Sequence, residues 1–376
     1  MNISPRIRAL DGLRTIAIAL VLGHHFFSVL RFRGRDWVTG FLVGGWAGVD
    51  LFFVISGFLV TRVVMKNHAA ENFARVFYSR RALRILVPYY LFLLCSYLSL
   101  KVLGLNSGVV EWPIFLTHMQ TIWLAWTDVW TIHFMNPMWS LGWEEYFYLV
   151  VPCFLLWKGS KAIVPVAITG LVLCVLGRYA VAVQRPASSV AYFVLRPDGL
   201  LWGMLLAAAW ESPIAKKILH QARAAFFATA IALTTALLYY FWQSNDLHTP
   251  QDAMNAFLYP GVPFTALLWV AVTLTAKEKS ITQLLLGNSP MVYFGKISYS
   301  IYLYHELVHF WGKVGEYYSV LSGITMTLIS IAIAAASWEL LERRLIAYGQ
   351  RLTYRPPSNH PGEKQHARSK NVRAAG

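Results

Sequence analysis

Apolar runs of roughly twenty residues recur along this chain from near its start to about residue 341, separated by short polar or glycine- and proline-bearing stretches. A helix rising 1.5 Å per residue crosses about 30 Å of hydrocarbon in about 20 residues, so each run is long enough to span a bilayer. The runs fall near residues 13–31, 44–64, 83–103, 139–157, 162–183, 194–210, 224–243, 261–276, 291–312 and 319–341. The pattern predicts an all-α polytopic transmembrane bundle of about ten spans, forming one membrane domain over 1–349. After Arg351 the pattern stops. YRPPSNHPGEKQHARSKNVRAAG holds proline, polar and basic residues and few large aliphatics, which predicts a disordered basic cytoplasmic tail over 350–376.

Polar residues inside these runs carry the next layer of information. Arg14 and His25 lie eleven residues apart on LDGLRTIAIALVLGHHFF. Eleven helical steps return to within about 20° of the starting face and separate the side chains by roughly 16 Å. Ionisable groups at membrane depth are costly, so such a face reads as a site or a pathway. If span one runs outward, His25 lies about 9 Å short of its outer end. The same depth is expected for Asp50 of span two, Glu144 and Glu145 of span four, and His305 and Glu306 of span nine. A second layer lies at the opposite side. Arg14 opens span one, and Arg80, Arg81 and Arg84 open span three, with Arg81 and Arg84 on neighbouring helix positions. Guanidinium groups grip phosphate bidentately, so this layer suits a phosphorylated ligand; the plainer alternative is positive-inside anchoring. Arg178 and Lys296 are further cations within spans.

Composition agrees with a bilayer as solvent. Hydrophobic residues make up 57% of the 376 and charged residues 14%, with a mean hydropathy of +0.48, which excludes a water-soluble globule. Of the 33 Lys and Arg, about 24 fall on the side shared with the N-terminus and about 7 on the other, so both termini are expected in the cytoplasm. Arg31, Arg33 and Arg35 dissent, in a loop assigned to the outside. Because the net charge of +15 follows the cytoplasmic loops and tail, it points to anionic lipid headgroups and not to nucleic acid. No small-residue cleavage site follows the first run, so it reads as an uncleaved span. Cys95, Cys153 and Cys174 are odd in number and lie within apolar segments, which favours packing over disulfides or metal binding. Trp123, Trp126 and Trp130 suit the membrane interface, or a sugar face.

Two rival chemistries are printed in the chain. Residues 305–309 read His-Glu-Leu-Val-His, the H-E-x-x-H spacing in which two histidines one turn apart hold zinc and the glutamate activates water. The aspartate such an intramembrane metalloprotease would add, Asp11 of LDG, comes at the wrong place in the order and at the wrong depth. A polytopic transporter is the second rival, although no paired broken-helix pattern marks the two halves.

The polar blocks carry a resemblance. LDGLR with Arg14 followed by His25, GVDLFFVISGFL (48–59), FYSRRALRILVPYY (77–90), WSLGWEEYFYLVVP (139–152), GKISYSIYLYHE (295–306) and WELLERRL (338–345) resemble, in order, the blocks of the acyltransferase 3 family of integral membrane acyltransferases. The resemblance implies transfer of an acyl group, commonly acetyl, from cytoplasmic acyl-coenzyme A to a hydroxyl. The acceptor would be an envelope glycan, its lipid-linked precursor or a small molecule. It assigns Arg14 and His25 to the family's Arg-to-His pattern, Arg81 and Arg84 to its R-x-x-R pattern, Phe52 to Leu59 to F-F-x-x-S-G-x-L, and Glu144 and Glu145 to the acids after W-S-L. Gly142 and Trp143 depart from the usual residues there. Some relatives add a soluble esterase-like domain, which is not expected here.

An alcohol attacking a thioester needs a base of near-neutral pKa, and His25 is the expected one. Asp50, Glu144 or Glu145 would hold its other nitrogen, with His305 in the same catalytic layer. Arg14, Arg81 and Arg84 would bind acyl-coenzyme A. Asp11, Ser56, Gly57, Tyr148 and Tyr302 are expected to line the site, Gly57 at a close helix approach and Tyr302 as a hydrogen-bond donor. His24 points 100° away from the Arg14 face and is expected to be structural. No bound cofactor and no metal is expected.

Overall fold

The structure, a computed structural model, describes residues 7–27, 37–105, 110–185, 190, 194–244, 259–312 and 319–356. Arg31, Arg33 and Arg35, and the tail from residue 357 onward, lie outside the described residues. Every regular element among the described residues is helical. The long helices are α1 (Arg8–Phe27), α2 (Gly40–Asn67), α3 (Phe73–Val102), α4 (Trp139–Lys158), α5 (Ser160–Gln184), α6 (Asp198–Glu211), α7 (Arg223–Trp242), α8 (Gly261–Leu274), α9 (Ser289–Gly312) and α10 (Val320–Gln350). Each apolar run of the sequence overlaps one of them.

Among the described residues six helices are long and apolar enough to cross a membrane, namely α1, α2, α3, α5, α7 and α10. The chain is therefore an all-α, largely membrane-spanning bundle and a multi-pass membrane protein. Helices α4 and α9, 20 and 24 residues long, have the length to span as well, but Glu144, Glu145, Lys296, His305, Glu306 and His309 interrupt their apolar faces. Burial sorts interior helices from lipid-facing ones. In its apolar window α2 is 72% buried and α7 11%, so α2 is a core element and α7 turns most of its surface to the bilayer.

Close backbone approach fixes the interior. Helices α2 and α6 form the most extensive pairing of the bundle. A Cβ placed on Gly57 would collide with the Leu200 carbonyl, and one on Gly203 with the Val54 carbonyl. Gly199 and Gly203, four residues apart on α6, give the small-xxx-small stripe that lets two helices pack at this distance without a hydrophobic driving force. The α1–α9 crossing uses the same device, with Gly295 against the Asp11 carbonyl.

Two local departures shape the arginine end. Pro88 has no N–H for the Arg84 carbonyl and its ring crowds it, so α3 widens into a π-helical turn over Ala82–Leu86. The Tyr299 hydroxyl of α9 donates to the Ile85 carbonyl there at 3.0 Å, linking the turn to α9. The chain after α10 also folds back on α3. Arg80 donates to the Leu352 carbonyl at 2.5 Å, Asn72 to the Thr353 carbonyl at 2.9 Å, and Tyr354 stacks on Phe73. The described residues after α10 thus pack on the start of α3 and on Asn72 before it, their backbone carbonyls accepting from side chains there. All three cysteines are free, and Cys153 is exposed instead of packed.

Candidate active site

A cavity of about 100 Å³ opens between α1, α2, α3, α4 and α9. Arg14, Arg81, Arg84 and Lys296 bring four cations to its wall, together with Ser56, Glu144 and Tyr148. Arg81 is held in place by aromatic faces, 4.2 Å from the Tyr148 ring centre and 5.1 Å from that of Phe77. Tyr148 in turn donates to Glu144 Oε2 at 2.8 Å. The cavity wall follows α9 from Gly295 to Tyr302, about 10 Å at helical rise. At Tyr302 the hydroxyl donates to the Pro137 carbonyl at 2.9 Å and meets Ser140 at 2.7 Å.

One turn beyond Tyr302 lies a cluster of histidines around a single carboxylate. His305 Nδ1 is 2.7 Å from the Tyr302 carbonyl, which can only accept, so that nitrogen carries the proton and Nε2 keeps a lone pair. His25 Nδ1 faces two acceptors, the Val21 carbonyl at 3.1 Å and His305 Nε2 at 3.2 Å. It therefore carries the proton, which leaves His25 Nε2 as the basic nitrogen. That nitrogen lies 3.7 Å from Glu306 Oε1. The other oxygen of Glu306 accepts from His133 Nδ1 at 2.7 Å and from His309 Nδ1 at 3.2 Å. His24 turns away, its Nδ1 at 3.3 Å from the Leu42 carbonyl. His118, between α3 and α4, stacks on Tyr89 at 4.3 Å, and burial pushes its imidazole down to about 4, so it stays neutral and apart from the cluster.

Several residues expected in one layer are not together. Asp50 is buried in an ion pair with Arg196, whose guanidinium is ringed by Trp46, Trp139 and Tyr259. The sequence argument left Arg196 out, and it takes Asp50 away from His25. Arg178 pairs bidentately with Asp198 at 2.7 and 2.6 Å, while Lys296 lines the cavity. Glu144 lines the cavity and Glu145 lies near Glu144 and Arg81, whereas the groups around His25 are Glu306, His305, His24 and His133. The reason is the 3-10 segment His133–Met138, which enters the bundle ahead of α4. With His133 already at Glu306, the chain descends up to roughly 19 Å before Glu144. Tyr302 and Ser56 line the cavity, Gly57 sits at the α2–α6 crossing, and Asp11 is buried at the α1–α9 crossing. His133 was also missed, since a lone histidine in a loop carries no periodic signal. The sequence Arg196-Pro197-Asp198 before an apolar run was the available hint of the buried pairs.

The zinc-protease geometry is not adopted. Among the described residues the groups of three donors are His25, His305 and Glu306, and His133, Glu306 and His309. Each group has donor atoms near enough to hold an ion, but His305 lies nearest Glu306 Oε1 and His309 nearest Oε2, so the two histidines of the H-E-x-x-H spacing fall in different groups.

A family model described as an acyltransferase domain matches residues 7–339. The chain belongs to the acyltransferase 3 family. It is 27% identical over 325 residues to the O-acetyltransferase OatA of Staphylococcus aureus, covering 80% of this chain and 50% of that protein. To the peptidoglycan O-acetyltransferase OatA of Listeria monocytogenes it is 28% identical over 329 residues, covering 80% of this chain and 49% of the other. The chain spans about half the length of these curated relatives. No solved structure matches it significantly. Membership accounts for the order of the blocks, which supply the cations of the cavity and, in the cluster, His25, His305 and Glu306, while His133 and His309 lie outside them.

Proposed function

We propose that this protein is a membrane O-acyltransferase that takes an acyl group, acetyl in the simplest case, from cytoplasmic acyl-coenzyme A. It delivers that group to a hydroxyl of an envelope glycan, its lipid-linked precursor or a small acceptor. The observation that carries this reading is the cavity walled by Arg14, Arg81, Arg84 and Lys296 that reaches Tyr302, one helical turn below the histidine cluster. Phosphate groups of the donor bind the cations, and the pantetheine arm runs along α9 toward His25. His25 Nε2 takes the acceptor's proton as its oxygen attacks the thioester carbon. With its side chain 24% exposed, His25 remains open to an acceptor. The relatives' names, O-acetyltransferase and peptidoglycan O-acetyltransferase, support an envelope glycan as acceptor.

The same reading assigns about ten spans, both termini in the cytoplasm and a place in the cytoplasmic membrane, with one membrane domain over 1–349. It is tested by mass spectrometry of envelope glycans and small metabolites from cells with and without the gene, together with His25→Ala and Arg81→Ala. An acyl modification should disappear with the gene, His25→Ala should lower turnover by about 10²-fold or more, and Arg81→Ala should chiefly raise the KM for acyl-coenzyme A. No acyl difference, together with no binding of acyl-coenzyme A by the purified protein, would overturn it.

A further inference from the structure

Glu306 stands at the wrong nitrogen to be an orienting acid. In a catalytic triad the acid holds the nitrogen remote from the chemistry. Here the remote nitrogen, His25 Nδ1, is held by the Val21 carbonyl and His305, while Glu306 Oε1 faces the reacting Nε2 at 3.7 Å. That oxygen is buried and accepts no hydrogen bond among the described residues. A carboxylate placed there does not tune the base before reaction. It stands where the base's proton goes afterwards.

The exit is marked by exposure. Glu306 is 1% exposed, whereas the His133 side chain bonded to its second oxygen at 2.7 Å is 49% exposed. His133 sits in the turn that leads into α4 and meets Glu306 toward the C-terminal end of α9, whereas the cavity of cations borders α9 from Gly295 and Lys296 nearer its N-terminal end. His309 also holds the second oxygen, at 3.2 Å, so that oxygen is fixed between two donors. His24 adds a further ring 5.0 Å from that of His25.

We propose that Glu306 and His133 form a relay that carries the proton taken up by His25 to water at the face of the bundle opposite the arginines. The relay rests on the reading of His25 as the base of acyl transfer. As the acceptor oxygen bonds to the acyl carbon, the carbon–sulfur bond breaks and coenzyme A leaves as the thiolate. The hydroxyl proton passes to His25 Nε2 and then, after a side-chain rotation closes the gap to hydrogen-bond length, to Glu306 Oε1. Glu306, now a carboxylic acid, turns that proton to a ring nitrogen of His133, and the half-exposed His133 passes it to water. Glu306 ends as the carboxylate it began as, and the sum is hydroxyl plus thioester to ester, thiolate and one proton. Glu306 and His133 are thus relay and positioning residues, and neither attacks the acyl group.

The test measures acyl transfer from acetyl-coenzyme A by the full-length protein, in weakly and strongly buffered media, with and without added imidazole. Removing an exposed proton shuttle lowers turnover without weakening donor binding, and a small diffusible base replaces it. His133→Ala should therefore lose about tenfold in kcat in weak buffer, keep its KM for acetyl-coenzyme A, and regain rate with imidazole concentration. Glu306→Gln should bind the donor, lose turnover and gain nothing from imidazole. Wild-type turnover by His133→Ala in weak buffer, or a loss that imidazole does not restore, overturns the relay, as does a wild-type rate abolished by chelators, which would put an ion at Glu306. Failure of the underlying reading is separate: the wild type would then transfer no acyl group, or His25→Ala would transfer as well as wild type.

Discussion

At the scale of single residues, the decisive fact is which charge meets which. Asp50 was expected beside His25, because both lie at one estimated depth. Depth is one coordinate, and the rotation of each helix about its axis decides the pairing. In the fold Asp50 neutralises Arg196, with side-chain exposures of 2% and 1%. Removing one partner of such a pair strands a buried charge, at a loss of about 3–5 kcal/mol. Asp50→Asn should therefore lower the thermal midpoint of the purified protein and its folded yield, and the double replacement Asp50→Leu with Arg196→Met should recover much of that loss. If Asp50 instead held the His25 imidazole, Asp50→Asn would melt like wild type and lose turnover alone. His25 itself was legible from its spacing to Arg14. Its partner Glu306 was placed at the same depth and within a zinc-like spacing, but its role was not legible, since H-E-x-x-H spacing is the same whether the glutamate lies between histidines or beside a metal.

Among the helices, positions are set by backbone proximity more than by side-chain volume. The α2–α6 crossing depends on Gly57 and Gly203, where any side chain would meet a carbonyl of the opposite helix. Gly203→Leu should abolish the monodisperse folded species in size-exclusion chromatography. Gly177 of α5 has open space around it, and Gly177→Ala there should leave the elution profile intact and change stability by at most about 1 kcal/mol in its favour. Equal damage from both changes would show that the crossing is not what the glycines serve. The π-helical turn of α3 shows the same economy, since Pro88 alone explains it and Arg84 lies within it. That turn was not read from the sequence, although its cause, a proline within a helical pattern, is printed there.

For the whole molecule the open quantity is orientation. The cavity of cations and the exposed His133 lie toward opposite ends of α9, and the proposed function puts the donor at the first and the acceptor at the second. In a variant with Cys95, Cys153 and Cys174 replaced, a cysteine at Trp126 should react with an impermeant maleimide added to intact cells. One at Lys217 should react only after permeabilisation, and the reverse pattern would invert the proposed topology. Hydrophobic run length by itself determined where the helices are, because spanning a bilayer needs only enough consecutive apolar residues, and the order of polar blocks determined the family. Only the tertiary structure decided the site. Helix rotation gave Asp50 to Arg196, and a 3-10 entry segment carried His133 to Glu306 and lowered Glu144 and Glu145 to the arginines, because a linear pattern records depth but neither azimuth nor offset.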